Sequence, residues 1–234
     1  MLTNGFSKAW RSLFLDDVPA EHTQNEVEFV RRHLPLPRYS RLLDVACGTG
    51  RHARVLADAG YSVLGVDRSR ELVLEAARGE PRASFQVLDM RQLAQLPGSF
   101  DGVLNLWHSF GFYDEETNRA VLEAFRDRLR RRGRVILDLY NREHAVSRPL
   151  TEQARRHDVS IETRRTWLGP RLKLELFYDG VPGDRFDWHL YSPEELAAVC
   201  DEVGFDIVLT CAWFDPAVAV SPEHARMQFV LERR

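Results

Sequence analysis

The sequence has few cysteines and no long apolar run, and each absence excludes a class of protein. Its three cysteines, among 234 residues, form no Cys-x-x-Cys pair and show no histidine spacing typical of zinc. We therefore expect reduced thiols and no metal centre. Because no run of about 18 apolar residues occurs, we expect no membrane-spanning helix. The first residues also lack the basic and apolar segments of a signal peptide, which favours a cytoplasmic protein.

Lysine is nearly absent too, since Lys8 and Lys173 are the only two and arginine supplies the remaining basic side chains. Nothing in the sequence explains this bias. The formal net charge is −3, so the chain has no overall positive field that would attract nucleic acid or an anionic membrane. The charge balance favours a small molecule as the partner, and it leaves the oligomeric state open.

The most informative stretch is residues 42–50, with the sequence LLDVACGTG. An apolar run that ends in Gly-x-Gly and leads into a helical pattern is typical of a strand, a tight turn and a helix. Glycines let the backbone approach a ligand closely, and the helix N-terminus offers unpaired N–H groups. Asp44, near the end of the strand, would repel a pyrophosphate, so it favours a cationic ligand.

A second carboxylate, Asp67, ends the next apolar strand 17 residues after Gly50. A carboxylate at the end of the second strand of such a unit accepts hydrogen bonds from both hydroxyls of a ribose. The spacing therefore predicts a nucleoside ligand. The alternative is that Asp67 is only an acidic residue that precedes a helix capped by Ser69.

With these motifs the chain resembles the class I S-adenosylmethionine-dependent methyltransferases from about Thr23 to the C-terminus. Their first motif, an acid followed by Gly-x-Gly-x-Gly, is present except that Ala46 replaces the first glycine. The resemblance implies a doubly wound α/β fold, Rossmann-like, with a seven-stranded, mostly parallel sheet and S-adenosylmethionine as cofactor. The residues that it implies for cofactor binding are Trp10, Asp44, Ala46, Gly48, Gly50, Asp67, Arg68, Asp89, Met90 and Asn105.

Several of these residues have simpler explanations. Trp10 belongs to the apolar stripe of a predicted helix over residues 6–14, where core packing competes with a contact to the methionine part of the cofactor. The resemblance implies that Asp89 accepts from the adenine amino group and that Met90 packs on the ring. Asp89 as a helix N-cap and Met90 as core filler are the alternatives.

The aromatic loop after the fourth strand is where we expect the chemistry. Asn105 lies at the end of that strand, and His108 lies in the loop that follows. His108 is the candidate general base, because an unperturbed imidazole titrates near neutral pH; a hydrogen-bonded wall residue is the alternative. We expect Tyr113, Tyr140 and Arg142 to contact the acceptor. Related enzymes that methylate DNA adenine or glutamine carry Asn or Asp followed by two prolines here, and this chain does not.

The chain divides into three predicted parts. Residues 1–40 form N-terminal lid helices, residues 41–145 and 191–234 form the cofactor-binding domain, and residues 146–190 form an inserted antiparallel β-sheet over the acceptor site. From Val159 onward apolar residues alternate, which predicts the strands of that sheet. Capping boxes predict helix starts at Thr23 and Ser192, and a further helix is predicted from Asp114 to Arg132.

These observations predict an enzyme that moves a methyl group from S-adenosylmethionine to nitrogen or oxygen of a small-molecule acceptor. One alternative is an NAD-dependent oxidoreductase, because Gly48-x-Gly50-x-x-Ala53 with Asp67 also satisfies the dinucleotide-binding pattern. Asp44 before the turn disfavours that alternative. The other is a protein that binds S-adenosylmethionine without catalysis.

Overall fold

The computed structural model describes residues 3–78 and 82–234, which form two β-sheets flanked by helices. The strands are β1 (Thr3–Asn4), β2 (Arg41–Val45), β3 (Ser62–Asp67), β4 (Ser84–Val87), β5 (Phe100–Asn105), β6 (Leu129–Tyr140), β7 (Thr151–Arg156), β8 (Val159–Leu168), β9 (Arg171–Tyr178), β10 (Val181–His189), β11 (Phe205–Cys211) and β12 (Arg226–Arg233). The helices are α1 (Lys8–Phe14), α2 (Ala20–His33), α3 (Arg51–Asp58), α4 (Arg70–Ala76), α5 (Glu115–Arg128), α6 (Arg142–Ser147) and α7 (Pro193–Val203). A 3₁₀-helix spans Met90–Gln95.

The larger sheet has seven strands in the order β11-β12-β6-β5-β2-β3-β4. Its strands are parallel except β12, which pairs antiparallel with both β6 and β11. Strand β2 lies between β3 and β5, so the strand order reverses there. In an open parallel sheet, the crevice beyond the carboxyl ends of the strands at such a point is where ligands bind. The predicted doubly wound fold is confirmed.

Side chains of β2 alternate between two apolar cores, one on each face of this sheet. Leu42 packs in the core that α2 and α3 cover, with Val30 and Leu56. Leu43 packs in the opposite core, which contains Phe125 of α5. This alternation follows from the two-residue period of a strand, and it makes the run buried on both faces, as parallel strands require.

The smaller sheet has the order β1-β10-β9-β8-β7, and its neighbours from β10 to β7 are antiparallel. Leu172, Phe186 and Trp188 form its apolar face, which packs on Leu13 of α1. The inserted antiparallel sheet is therefore confirmed. Two of its strands were not predicted: β7 lacks an alternating apolar pattern, and β1 joins from the N-terminus by pairing in parallel with β10.

Three predicted helix boundaries are wrong. Helix α1 begins at Lys8 and not at Phe6, because Ser7 caps it and Phe6 has φ 46°. Helix α2 begins at Ala20 after Pro19, because the Thr23 hydroxyl accepts a hydrogen bond from Arg51 instead of capping the helix. Helix α5 ends at Arg128, and the following arginines belong to β6. There Arg130 lies 3.1 Å from Asp101, so ion pairs with neighbouring strands replace a solvated helix end. The capping box at Ser192, with Glu195 as its partner, is present as predicted.

Within residues 3–78 and 82–234, no helix has both the length and the apolar character needed to cross a bilayer. Among the same residues, no group of three or more His, Cys, Asp or Glu side chains is arranged so that it could hold a metal ion. The three cysteines are unpaired thiols.

Candidate active site

A cavity of about 360 Å³ opens beyond the carboxyl ends of β2, β3 and β5, between the seven-stranded sheet and helix α1. Nine predicted site residues line it: Trp10, Asp44, Ala46, Gly48, Asp67, Arg68, Asp89, Met90 and Tyr113. The fold thus brings together residues that are up to 103 positions apart, from Trp10 to Tyr113. Most of the cofactor-binding residues implied by the family resemblance share one cavity.

Asp44 is the buried acid of this cavity, with only 2% of its surface exposed. Its Oδ2 atom has no hydrogen-bond partner in the described part of the chain. Because burial removes the water that would solvate the charge, the pKa of Asp44 rises to about 7, although the positive charge of Arg51 opposes the rise. An unpaired, buried carboxyl on a cavity wall suits a ligand that brings a positive charge.

The turn after β2 is shaped by residues in the left-handed conformation. Ala46 has φ 58°, Gly48 has φ 55° and Gly50 has φ 77°. A Cβ atom at Gly48 would meet no protein atom within 4 Å, so this residue faces open space in the cavity. A Cβ atom at Gly50 would lie 2.6 Å from the Phe85 ring. Gly48 therefore leaves room for a ligand, whereas Gly50 serves the packing of the turn and does not line the cavity.

Asp67 is held by the backbone at the carboxyl end of β3. Its Oδ2 atom accepts from the Gly48 N–H at 3.0 Å, and its Oδ1 atom accepts from the Ser69 N–H at 2.8 Å. Burial raises the pKa of Asp67, and these two backbone bonds oppose that rise. Each carboxylate oxygen can accept more than one hydrogen bond, so the fixed carboxylate can still receive two ligand hydroxyls.

Asp89 caps the 3₁₀-helix and also lines the cavity. Arg91 donates to its Oδ1 atom from the backbone and to both carboxylate oxygens from the guanidinium, and the Tyr113 hydroxyl donates to Oδ1 at 3.3 Å. The hydrogen bonds from Arg91 lower the pKa of Asp89 to about 2. This acid is therefore ionised and oriented, and the adjacent Met90 forms part of the apolar lining.

A buried polar network that sequence reasoning missed fixes Trp107, another residue of the cavity lining. Glu26 accepts from the Trp107 indole at 2.7 Å and from Arg51 at 2.6 Å, and His52 lies 2.6 Å away. Burial alone would raise the pKa of Glu26, but the hydrogen bond and charge of His52, together with Arg51, lower it to about 2. No local pattern signals this network, because its members are distant in sequence.

A second network lies behind the same loop and holds its backbone. Asp138 is fully buried in β6, and it accepts from the Trp107 N–H at 2.9 Å and from Gln228 at 2.8 Å. Arg226 pairs with the same carboxylate through two nitrogens. These bonds hold Trp107 and His108 in left-handed conformations, with φ values of 59° and 56°.

His108 does not line the cavity, although the aromatic loop does so on either side of it. Its Nδ1 atom accepts from the Tyr140 N–H at 3.1 Å, and its Nε2 atom is buried without a partner in the described structure. Burial, aided by the charge of Arg226, lowers the pKa of His108 well below its usual value. The ring is neutral with its accepting nitrogen occupied, which is not the geometry that a general base needs.

Three other predicted residues also lie outside the cavity lining. Asn105 is fully buried and donates to the Val45 carbonyl at 3.1 Å, which ties β5 to β2. Tyr140 packs against His108, with ring centroids 4.4 Å apart. Arg142 pairs with Glu195 at 2.5 Å. In this structure all three support the framework around the site.

The sequence also matches known methyltransferases. A family model described as a methyltransferase domain matches residues 42–133. The glycine/sarcosine N-methyltransferase of Aphanothece halophytica is 34% identical over 229 residues, with 88% of this chain and 80% of that protein covered. The chain spans about half the length of other curated relatives that it matches, 49% of one and 53% of another.

Solved structures share the fold. An S-adenosylmethionine-dependent methyltransferase from Clostridium acetobutylicum ATCC 824 has a TM-score of 0.79 at 16% identity, over 96% of both chains. An S-adenosylmethionine-bound amino pentose methyltransferase from Micromonospora echinaspora has a TM-score of 0.71 at 20% identity, over 100% of both chains. With the strand order, the turn after β2 and the paired acids Asp44 and Asp67, these matches establish that the chain belongs to the class I S-adenosylmethionine-dependent methyltransferases.

Proposed function

We propose that this enzyme methylates the nitrogen of a small amine. The observation that carries cofactor binding is the unpaired Asp44 carboxyl beside the open space over Gly48. Relatives support nitrogen as the acceptor atom: besides the glycine/sarcosine enzyme, a dTDP-3-amino-3,6-dideoxy-α-D-glucopyranose N,N-dimethyltransferase of Streptomyces fradiae is 39% identical over 97 residues. That second match spans 37% of its protein.

The residues of the cavity fit S-adenosylmethionine in three ways. Asp44 supplies negative charge for the positively charged methionine part, and Asp67 supplies an oriented carboxylate for the ribose hydroxyls. Met90 offers a soft apolar surface for the adenine ring. Trp10 and Trp107 line the cavity, and aromatic rings favour a nearby cation.

When bound, S-adenosylmethionine supplies an electrophilic methyl group: the amine lone pair forms the new N–C bond, and the sulfur keeps the electrons of the broken S–C bond. The protein contributes by aligning the acceptor and by excluding water, and alignment of this kind is worth roughly 7–11 kcal/mol. The amine must first lose its proton. Since His108 is neutral and does not line the cavity, we propose that the amine binds in its neutral form and that its proton leaves to solvent.

Calorimetry and a turnover assay test this function. We expect S-adenosylmethionine and its demethylated product to bind and NAD not to bind, because Asp44 would oppose a pyrophosphate at the turn. We further expect release of the demethylated product with glycine, sarcosine or an amino sugar as acceptor. Binding of the cofactor without turnover on any amine would favour the non-catalytic alternative, and tight binding of NAD would contradict the cofactor assignment.

A further inference from the structure

The cavity of about 360 Å³ described above, in which we propose that S-adenosylmethionine binds, is called the cofactor cavity. A second cavity of about 250 Å³ adjoins it on the side of the inserted sheet. The two cavities share part of their lining, including Phe6, Phe112 and Tyr113. A molecule in the second cavity would therefore lie beside the first cavity, next to the residues that the two linings share. Strand β10 contributes the opposite side through Arg185 and Asp187.

The second cavity is positively charged, although the chain as a whole is not. Its charged lining residues are Arg68, Arg171, Arg185 and Asp187, which leaves a net charge of +2 against −3 for the whole chain. Asp187 is neutralised within the protein, because Arg171 donates to its carboxylate at 2.9 Å. Arg171 also donates to the Tyr113 carbonyl at 2.7 Å, so this arginine serves the structure.

The other two arginines form no such bonds, although the charge of Arg68 acts on the nearby Asp67 carboxyl. Neither Arg68 nor Arg185 forms an ion pair or a side-chain hydrogen bond within the described residues, and both are exposed. Glu175 lies opposite Arg185 in the β9–β10 ladder, yet the two side chains form no ion pair. Most other arginines on this sheet are paired, as Arg165 is with Glu152 at 2.8 Å. Two guanidinium groups without an ion pair in one concave site offer the kind of donors that bind a carboxylate or a phosphate.

We propose that this second cavity is the acceptor subsite and that the acceptor is an anionic amine, with a carboxylate or phosphate held by Arg68 and Arg185. Arg68, which the family resemblance assigns to the cofactor, lines both cavities and in this proposal contacts the acceptor instead. The inference rests on the proposed methyl transfer to nitrogen and narrows its substrate class. The anionic end lies between the two arginines, and the amine end extends past Phe112 and Tyr113 toward the cofactor cavity. Arg185 determines specificity from the inserted sheet, which explains what that sheet contributes to the site.

Binding of simple anions tests the subsite directly. In calorimetry on the protein saturated with S-adenosylhomocysteine, the demethylated product of S-adenosylmethionine, we expect acetate or inorganic pyrophosphate to bind. Arg185→Gln should weaken that binding about 10–100-fold, the range for losing a charge-assisted hydrogen bond. Arg185→Lys should retain part of the affinity because it keeps the charge. Arg155→Gln, an exposed position on β7 at the far edge of the sheet, is the matched control and should change nothing.

Matched acceptors separate the two sources of negative charge. Glycine is compared with glycinamide, and phosphoethanolamine with ethanolamine. In the wild type the anionic member of at least one pair should have the lower KM, and Arg185→Gln should remove that preference while kcat changes little. The pair whose KM preference is lost in Arg185→Gln shows whether the subsite binds a carboxylate or a phosphate.

These experiments distinguish failure of the anionic subsite from failure of the proposed methyl transfer. If S-adenosylmethionine binds but neither anion binds, or if Arg185→Gln leaves anion binding unchanged, the anionic subsite is wrong and methyl transfer still stands. If the wild type does not bind S-adenosylmethionine, the proposed function itself fails. Equal affinity of Arg185→Gln and wild type for S-adenosylmethionine shows that the variant is folded and that its defect is confined to the acceptor.

Discussion

At the scale of one residue, Asp44 lowers the stability of the folded protein because its carboxyl group is buried in a cavity wall. The folded protein buries a carboxyl group whose pKa is about 7, compared with an ordinary value of 3.8. Between these values the folded state binds more protons than the unfolded state, so stability falls as pH rises through this range. Above pH 7 the full cost of the buried charge is present, and a cationic ligand beside Asp44 would reduce that cost.

We expect Asp44→Asn to make the ligand-free protein more stable at pH 8, because asparagine carries no charge. A difference of about three pKa units corresponds to at most about 4 kcal/mol. Thermal unfolding of the ligand-free variant should therefore occur several degrees higher at pH 8, and the difference should shrink toward pH 5. Asp58→Asn, at an exposed position, is the control. Equal stability at pH 8 would show that the Asp44 carboxyl is solvated.

The same substitution should weaken the cofactor selectively. Because the sulfonium of S-adenosylmethionine is positively charged and the sulfur of its demethylated product is neutral, Asp44→Asn should reduce affinity for the first more than for the second. Calorimetry with both ligands measures the difference. Equal losses would place the sulfonium beyond the influence of Asp44.

His108 was predicted as the general base, and its surroundings give a different expectation. His108→Gln can keep an acceptor for the Tyr140 N–H, so turnover should stay within about tenfold of the wild type. The ratio kcat/KM should rise with pH until the amine substrate is deprotonated, with no inflection from His108. A loss of about 10²–10⁴ that is partly rescued at high pH would instead establish His108 as the base.

At the scale of an element, two glycines of the turn between β2 and α3 have different roles: Gly50 allows close packing, and Gly48 leaves room for a ligand. Gly48, Gly50 and Gly180 all have positive φ, but only Gly50 has a neighbour, Phe85, that a Cβ would meet. Gly50→Ala should cost about 2–4 kcal/mol, from backbone strain plus overpacking. Gly180→Ala, in an open turn, should cost about 1–2 kcal/mol from strain alone.

Gly48→Ala should resemble Gly180→Ala in stability but differ from it in function. Its new methyl group would meet no protein atom, yet it would project into the cofactor cavity. Chemical denaturation and calorimetry with S-adenosylmethionine on the three variants provide the comparison. Normal cofactor affinity in Gly48→Ala would show that the cofactor does not approach this turn.

At the scale of the whole molecule, the sequence predicted what local patterns determine. The mostly parallel seven-stranded sheet and the inserted sheet follow from apolar periodicity and from the family resemblance. The contacts of Glu26 with His52 and Trp107 could not be predicted, because they join residues 26 and 81 positions apart. The exclusion of His108 from the cavity also depends on how the loop turns at two left-handed residues, which no sequence pattern signals.

The junction of the N-terminus with the inserted sheet has a consequence for the order in which ligands bind. Strand β1 pairs with β10, and Asp184 of β10 accepts from both the N–H and the hydroxyl of Ser7 at the start of α1. Helix α1 lines the first cavity through Trp10, and the preceding Phe6 lines both cavities. Any movement of α1 that admits the cofactor would therefore displace part of the proposed acceptor subsite, so we expect the cofactor to enter first and leave last.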